Sequence, residues 1–458
     1  MEMERVPVRV LPRPLTAALA GCAVLGGALM LFPPDHPAPA PSPGPGARAE
    51  LAVTAGAPAA LPDLAVFIGD REAFVRTHPR DGQAWAQLGS AYVERGRRTA
   101  DAADFPKAER ALRTSVKVRP AHNAEGLGGL AALANARRDF PAARKWGEAA
   151  LRQAPNRWTS YPPLLDAYTG LGDYKAVRRT LERLQGLRSG AAVPAVMARA
   201  AGVYRDQGRR EDAQAALTDA AARATTPAEE AEWLHQAGEL AWERGEPADA
   251  LRHFGAALRL DPGLGAARAG EGRALAALGR TREAVDAYRA ALAGQPSPQY
   301  ALELGELYES LGRSADARAQ YAVLRARVAK ERAGGVDGEL LLGRFEADHG
   351  DAGSAVRRLR AEWARQPGLD VADALGWALH RAGRGEEGLG WAKRATDKEH
   401  GGEVRSAPYV YHRGMIEREL GLTGPARRHL EEALRINPYF SPVGAPAAKE
   451  AVRELGTL

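Results

Sequence analysis

The residues able to do chemistry are few and far apart. The 458-residue chain has ten histidines and a single cysteine, Cys22. No two histidines stand four apart, the spacing that sets two imidazoles on one helix face to grip a metal ion. One cysteine excludes an intramolecular disulfide framework and any cysteine-based zinc site. Glu229, Glu230 and Glu232, like Glu431 and Glu432, could serve as acid and base, but such runs on a charge-alternating helix are solvated faces. Gly270-Glu271-Gly272 follows no strand and lies inside a helical stretch, so its glycines serve close packing and not a phosphate. The patterns H-E-x-x-H, G-x-x-x-x-G-K-[ST] and G-x-S-x-G do not occur. The expectation is no enzyme: no catalytic residue, no cofactor and no metal.

The elements that carry these residues follow from composition. The chain is 45% hydrophobic, 6% aromatic and 26% charged, with 50 Gly and 31 Pro. That apolar share folds, and abundant alanine with few aromatics favours close-packed helices over sheets. The net charge is +6, and the basic residues, mostly Arg, are interleaved with Asp and Glu. No patch for nucleic acid stands out.

Internal repetition organises most of the chain. Trp85, Leu88-Gly89 and Tyr92 are spaced W-x2-L-G-x2-Y, followed by Ala108, Leu112, Ser115 and Pro120. The alanine position recurs at Ala143, Val177, Ala213, Ala250, Ala284, Ala317, Ala355, Gly388 and Ala426, about 35 residues apart. A bulky residue follows four later in most units, as Leu217, Phe254, Tyr288 and Leu430. A closing proline recurs at Pro155, Pro262, Pro296, Pro367 and Pro438. Gly172, Gly208, Gly245, Gly279, Gly312, Gly350, Gly383 and Gly421 fall where the first helix of a unit must stop, and a left-handed conformation is expected at each. The constellation resembles the tetratricopeptide repeat (TPR) family. The resemblance implies an all-α fold, a right-handed superhelical solenoid of about ten helix pairs over 81–440.

Four departures interrupt the period. Residues Arg97 to Asp104 lengthen the turn of the first unit, and Arg325 to Ala333 extend the second helix of the seventh. A polar insertion runs from Lys398 to Ala407, and units three and four lack the closing proline. Residues 62–80, including Asp70 to Pro79, form an N-terminal cap helix, and 441–458 a C-terminal one.

The N-terminus has a different character. Leu15 to Phe32 is uncharged and about 27 Å long as a helix, enough for a bilayer core. Arg5, Arg9 and Arg13 lie in the preceding segment 1–14, so that end is expected inside and the rest outside the cytoplasm. This makes 15–32 a transmembrane helix or signal anchor, followed by a Pro-rich extended tether over 33–61. Leu19-Ala20-Gly21-Cys22 offers an alternative, a lipoprotein anchored through Cys22; a third is cleavage and secretion. The Ala, Arg and Gly bias suggests a high-GC bacterial source.

What a solenoid offers is a concave wall lined by first helices. The TPR resemblance places His235, Glu239, Trp242, Arg273, Glu306, Arg344, Asp373, Trp377, His380, Tyr411 and Met415 on it. Trp242 and Trp377 would be aromatic anchors for a protein or peptide partner; alternatively each packs as core. The function expected is a membrane-tethered scaffold or receptor, acting through protein–protein interaction in the groove. The alternatives are a self-associating spacer or assembly factor, and a non-catalytic subunit of an enzyme complex.

Overall fold

The computed structural model describes residues 43–187, 193–398 and 403–456. The segments expected to cross or tether to a membrane, 15–32 and most of 33–44, lie outside them. Among the described residues no helix is long and apolar enough to cross a membrane. Pro43 and Gly44 end a first unit, Met1–Gly44; all 23 described α-helices belong to the second, Pro45–Leu458.

The helices follow one another in pairs. After α1 (Pro45–Ala55) and α2 (Leu61–Thr77) come ten pairs. They are α3 (Gly82–Thr99) with α4 (Asp104–Val118), α5 (Ala124–Ala136) with α6 (Phe140–Gln153), α7 (Pro162–Gly170) with α8 (Tyr174–Gln185), and α9 (Val193–Asp206) with α10 (Arg210–Ala222). Next are α11 (Pro227–Glu243) with α12 (Pro247–Leu260), α13 (Gly265–Ala277) with α14 (Thr281–Gly294), and α15 (Pro298–Ser310) with α16 (Ser314–Ala333). The last are α17 (Glu339–His349) with α18 (Ala352–Arg365), α19 (Leu369–Arg381) with α20 (Gly385–Thr396), and α21 (Ala407–Glu419) with α22 (Thr423–Ile436). Helix α23 (Gly444–Glu454) closes the array. No strand occurs among the described residues.

Local sequence explains the pairs. Side chains of Asp81, Asn123, Asp139, Asp173, Thr226, Ser297, Asp351 and Ser406 cap helix N-termini by accepting backbone N–H bonds. The repeating alanines Ala108, Ala143, Ala213, Ala250, Ala284 and Ala355 are fully buried. The glycine of a first helix lies under the bulky residue of its second. A Cβ on Gly238 would strike Phe254, one on Gly305 would strike Tyr321, and one on Gly343 would strike Leu359. Truncating Phe254 would therefore open a core cavity at a cost of about 3–5 kcal/mol.

Three expectations are corrected. Residues 45–55, assigned to the extended tether, are helical: Ala49 and Ala52 are buried in the N-terminal core, and Arg48 Nη2 bonds Asp63 Oδ1 at 2.7 Å. The extra residues after Arg97 lengthen helix α3 as far as Thr99, rather than the turn alone. Seven of the eight turn glycines take φ between +68° and +76°, but Gly350 takes φ −149°.

The departures from the repeat lie where the array touches itself. Arg98, in the added turn of α3, pairs with Asp261 of the loop after α12, and Gln295 Nε2 donates to the Arg97 carbonyl at 3.2 Å. Arg137 Nε donates to the Gly334 carbonyl at 2.9 Å, just past the extended α16, and Asp337 N–H donates back to the Arg137 carbonyl at 2.9 Å. Phe140 N–H donates to Gln366 Oε1 at 3.3 Å. Arg210 donates to the Arg405 carbonyl, in the polar insertion. Asn437 Nδ2 donates to the Trp242 carbonyl at 2.7 Å. Several of these bonds join residues 195–198 apart, five to six units of about 34 residues. The array therefore winds so tightly that successive superhelical turns meet along a seam. In the seam, the turn edges of units one to five rest on the loops that follow the second helices of units five to ten.

Candidate interaction surface

The inward face is a ladder of ion pairs between successive first helices. Arg199 of α9 meets Asp166 of α7 at 2.9 Å, and Arg205 of α9 meets Glu243 of α11 at 3.9 Å. Arg273 of α13 joins Glu239 of α11 at 3.0 Å and Glu303 of α15 at 3.5 Å. His349 of α17 meets Glu306 of α15 at 3.8 Å. Arg344 of α17 meets Asp370 of α19 at 2.7 Å, and Tyr409 of α21 donates to the same carboxylate at 2.6 Å. Distant units also act on one another electrostatically. Asp370 of unit nine perturbs Tyr174, Arg205 and Asp206 of units three and four, while Glu232 and Asp166 act on Arg97 of unit one. These groups therefore lie within electrostatic reach of one another where successive turns of the array come close.

Titration follows from this crowding. Burial pushes the Glu239 carboxyl up, but the Arg273 charge and the His235 hydrogen bond outweigh it and hold the pKa down at about 2. Asp370 is held at about 2 in the same way: burial raises it, and Arg344 with the Tyr409 hydroxyl prevails. Burial lowers His349, but the hydrogen bond and charge of Glu306, with Glu309 and Asp348, raise it on balance. Burial raises Glu306, Glu243 and Asp206 above the usual carboxylate range. Among the described residues no group of three or more His, Cys, Asp or Glu could hold a metal ion.

The expected groove residues divide. His235, Glu239, Arg273, Glu306 and Arg344 are in the ladder. Trp242, Trp377 and Tyr411 lack the exposure an anchor needs, at 7%, 8% and 7%. Trp242 packs between units five and six, with the Arg273 guanidinium 5.6 Å over its ring. Trp377 stacks on His412 at 4.4 Å and donates from Nε1 to Asp348 Oδ1 at 2.9 Å. Tyr411 lies against Phe440, and the half-buried Met415 belongs to the same C-terminal core. His380 Nδ1 meets Glu419 at 2.9 Å, and Asp373, buried, meets His412 at 2.9 Å. Large aromatics on a first helix here fill the space between neighbouring first helices. Asp166, Arg199, Arg205, Asp370 and Tyr409 were missed by sequence reasoning. Their signal was charge complementarity between first helices one unit apart, which the single-unit pattern does not display.

A family model described as tetratricopeptide repeat matches residues 95–157, 199–265, 235–297 and 269–331. No curated protein matches the chain. Among solved structures the chain is similar to a human IFIT1 dimer with PPP-AAAA, at 16% identity over 84% of this chain and 86% of that one, TM-score 0.47. It is also similar to a tetratricopeptide repeat protein from Parabacteroides merdae, at 15% identity over 58% and 99%, TM-score 0.33. The Cut9–Hcn1 hetero-tetramer of the APC/C shares 14% identity over 81% and 76%, TM-score 0.39. Over residues 95–157 and 199–331 the chain carries tetratricopeptide repeats.

Proposed function

We propose that this chain is a non-enzymatic scaffold that holds a protein or peptide partner inside its lumen. The partner is recognised by charge and hydrogen bonding rather than by aromatic anchors. The observation that carries the reading is the ladder: Asp, Glu, Arg, His and Tyr groups repeat at each step from unit three to unit ten. These groups are part-exposed and face the next first helix, so a ligand charge can take the place of a rung's present partner. An extended chain carrying both signs of charge fits a wall of this kind.

The reading includes the membrane. Residues 15–32 anchor the scaffold, with the repeats outside the cytoplasm, as the arginines before the apolar run favour. Tethering raises the effective concentration of scaffold and of any partner in the same membrane. The test is crosslinking of full-length protein in its membrane, with mass spectrometry of what it captures, beside an Arg344→Ala/Glu239→Gln variant. A defined partner lost in the variant supports the reading, and unchanged capture removes the lumen from it. A reporter fused to the C-terminus that is active only in the cytoplasm would reverse the topology.

A further inference from the structure

The second helices of units two and three carry positive charge that the fold leaves unanswered. Helix α6 holds Arg144, Lys145 and Arg152 against Glu148, and α8 holds Lys175, Arg178, Arg179 and Arg183 against Glu182. All seven cations are exposed. Among the described residues none of the seven has an ion pair or a hydrogen bond. Glu148 accepts from the Tyr168 hydroxyl at 3.1 Å and pairs with no cation. Helix α18 shows the alternative: each of its four arginines, Arg357, Arg358, Arg360 and Arg365, meets a carboxylate. On α8, Lys175, Arg179 and Arg183 stand four apart and form one row along the helix. On α6, Lys145 and Arg152 stand seven apart, two turns along one face. Arg144 and Asp173, the cap of α8, line one cleft, so the two helices begin side by side. Arg144 and Arg178 form the seam edge of the patch, in clefts shared with Arg365 and Glu403.

Like charges four apart on a helix repel, so a row of them suits an anionic partner that runs along it. Two observations choose among such partners. The aromatic rings of α6 and α8, those of Phe140, Trp146 and Tyr174, are half-buried, and the Lys145 ammonium lies 5.2 Å over Trp146. No ring is presented for stacking on bases, as single-stranded nucleic acid would require. The apolar run over 15–32 would hold the chain at a bilayer, where anionic headgroups are abundant and a basic surface is attracted to them. We infer that α6 and α8 rest on an anionic phospholipid surface, with their lysines and arginines among the headgroup phosphates. The inference rests on the membrane part of the proposed function and is independent of what the lumen holds.

The test uses the full-length chain with Cys22→Ala, which removes its sole cysteine. It is reconstituted in phosphatidylcholine vesicles with or without about 30% phosphatidylglycerol. A fluorophore on Glu182→Cys reports on the patch, and one on Arg357→Cys reports on the second helix of unit eight. Lipids with a nitroxide headgroup should quench the Glu182 label at least about two-fold more in the anionic vesicles, and about 0.5 M salt should abolish the difference. Lys145→Gln/Arg152→Gln/Arg179→Gln/Arg183→Gln should abolish it too, with no loss of helicity. The Arg357 label should be quenched equally in both vesicles. Equal quenching of the Glu182 label in both would overturn the inference, as would a difference that survives in the quadruple variant. So would a single-stranded oligonucleotide that the chain holds in detergent and the quadruple variant releases, since the patch would then serve nucleic acid. An alkaline wash keeps the two readings apart. A chain that it strips from the vesicles has no anchor; flotation with the anionic vesicles alone would then still uphold the patch, and flotation with neither would overturn it.

Discussion

Cutting the Arg98–Asp261 pair should cost different amounts from its two ends. The Arg98 side chain is 4% exposed and that of Asp261 17%. Removing one member of a buried ion pair costs about 3–5 kcal/mol, because the other charge is stranded. Asp261→Ala strands a guanidinium whose Nε already lacks a partner, so about 3 kcal/mol is expected. Arg98→Ala leaves a carboxylate that touches water and still accepts the Gly263 N–H at 3.1 Å, so about 1–1.5 kcal/mol is expected. In the double variant no charge is stranded, and its cost should match Arg98→Ala to within about 0.5 kcal/mol. Urea unfolding followed by circular dichroism gives the energies. Spin labels at Asp101 and Lys330, whose side chains lie 3.7 Å apart across the seam, give the separation of the turns. Asp261→Ala should broaden the measured distance distribution toward longer values. A larger cost for Arg98→Ala, or additive single costs, would refute the reasoning. So would an unchanged distance with both costs below about 0.5 kcal/mol.

Gly208→Ala should destabilise by about 1–3 kcal/mol more than Gly312→Ala, because both turns have positive φ but only at Gly208 would the added methyl strike a carbonyl; paired thermal melts measure the difference. Trp377→Ala should cost about 3–5 kcal/mol, whereas Trp377→Phe should preserve partner capture, since the ring is core. For His349 the folded pKa is raised, so its stabilisation is complete below about pH 6 and fades as pH climbs through the folded value. Urea midpoints from about pH 6 to 8 should therefore fall less steeply in His349→Gln than in the wild type. Glu239 and Asp370 have the opposite sign: their contribution is present above about pH 4.5 and is lost as pH falls toward 2, so Asp370→Asn should lessen the acid loss of stability seen in a pH titration of the fold.

The pairing of helices was legible because one constraint repeats. Small residues such as Ala250 and Gly238 must meet large ones such as Phe254 at a fixed spacing, and that spacing shows in a single chain. The superhelical closure was not legible in the same way. It depends on contacts such as Arg210 to Arg405, 195 residues apart, which no local period encodes. The departures from the period were visible, but their purpose was not. Arg98, Gly334 and Arg405 all lie in or beside irregular segments, and each reaches the adjacent superhelical turn. For Trp242 and Trp377 the sequence left anchor and core packing both open, for a related reason. A pattern that assigns a position to the concave face does not say how close the next first helix stands. Here it stands close enough to cover both rings.

The central functional claim is that the lumen, and not the outer face, holds the partner. Its most direct test places a photo-reactive amino acid at Arg344, inside, and in a second preparation at Arg357, on an exposed second-helix position. Irradiation in cells making the full-length chain should join a defined partner to the Arg344 position and leave the Arg357 position unreacted. Adducts only from Arg357 would contradict the account.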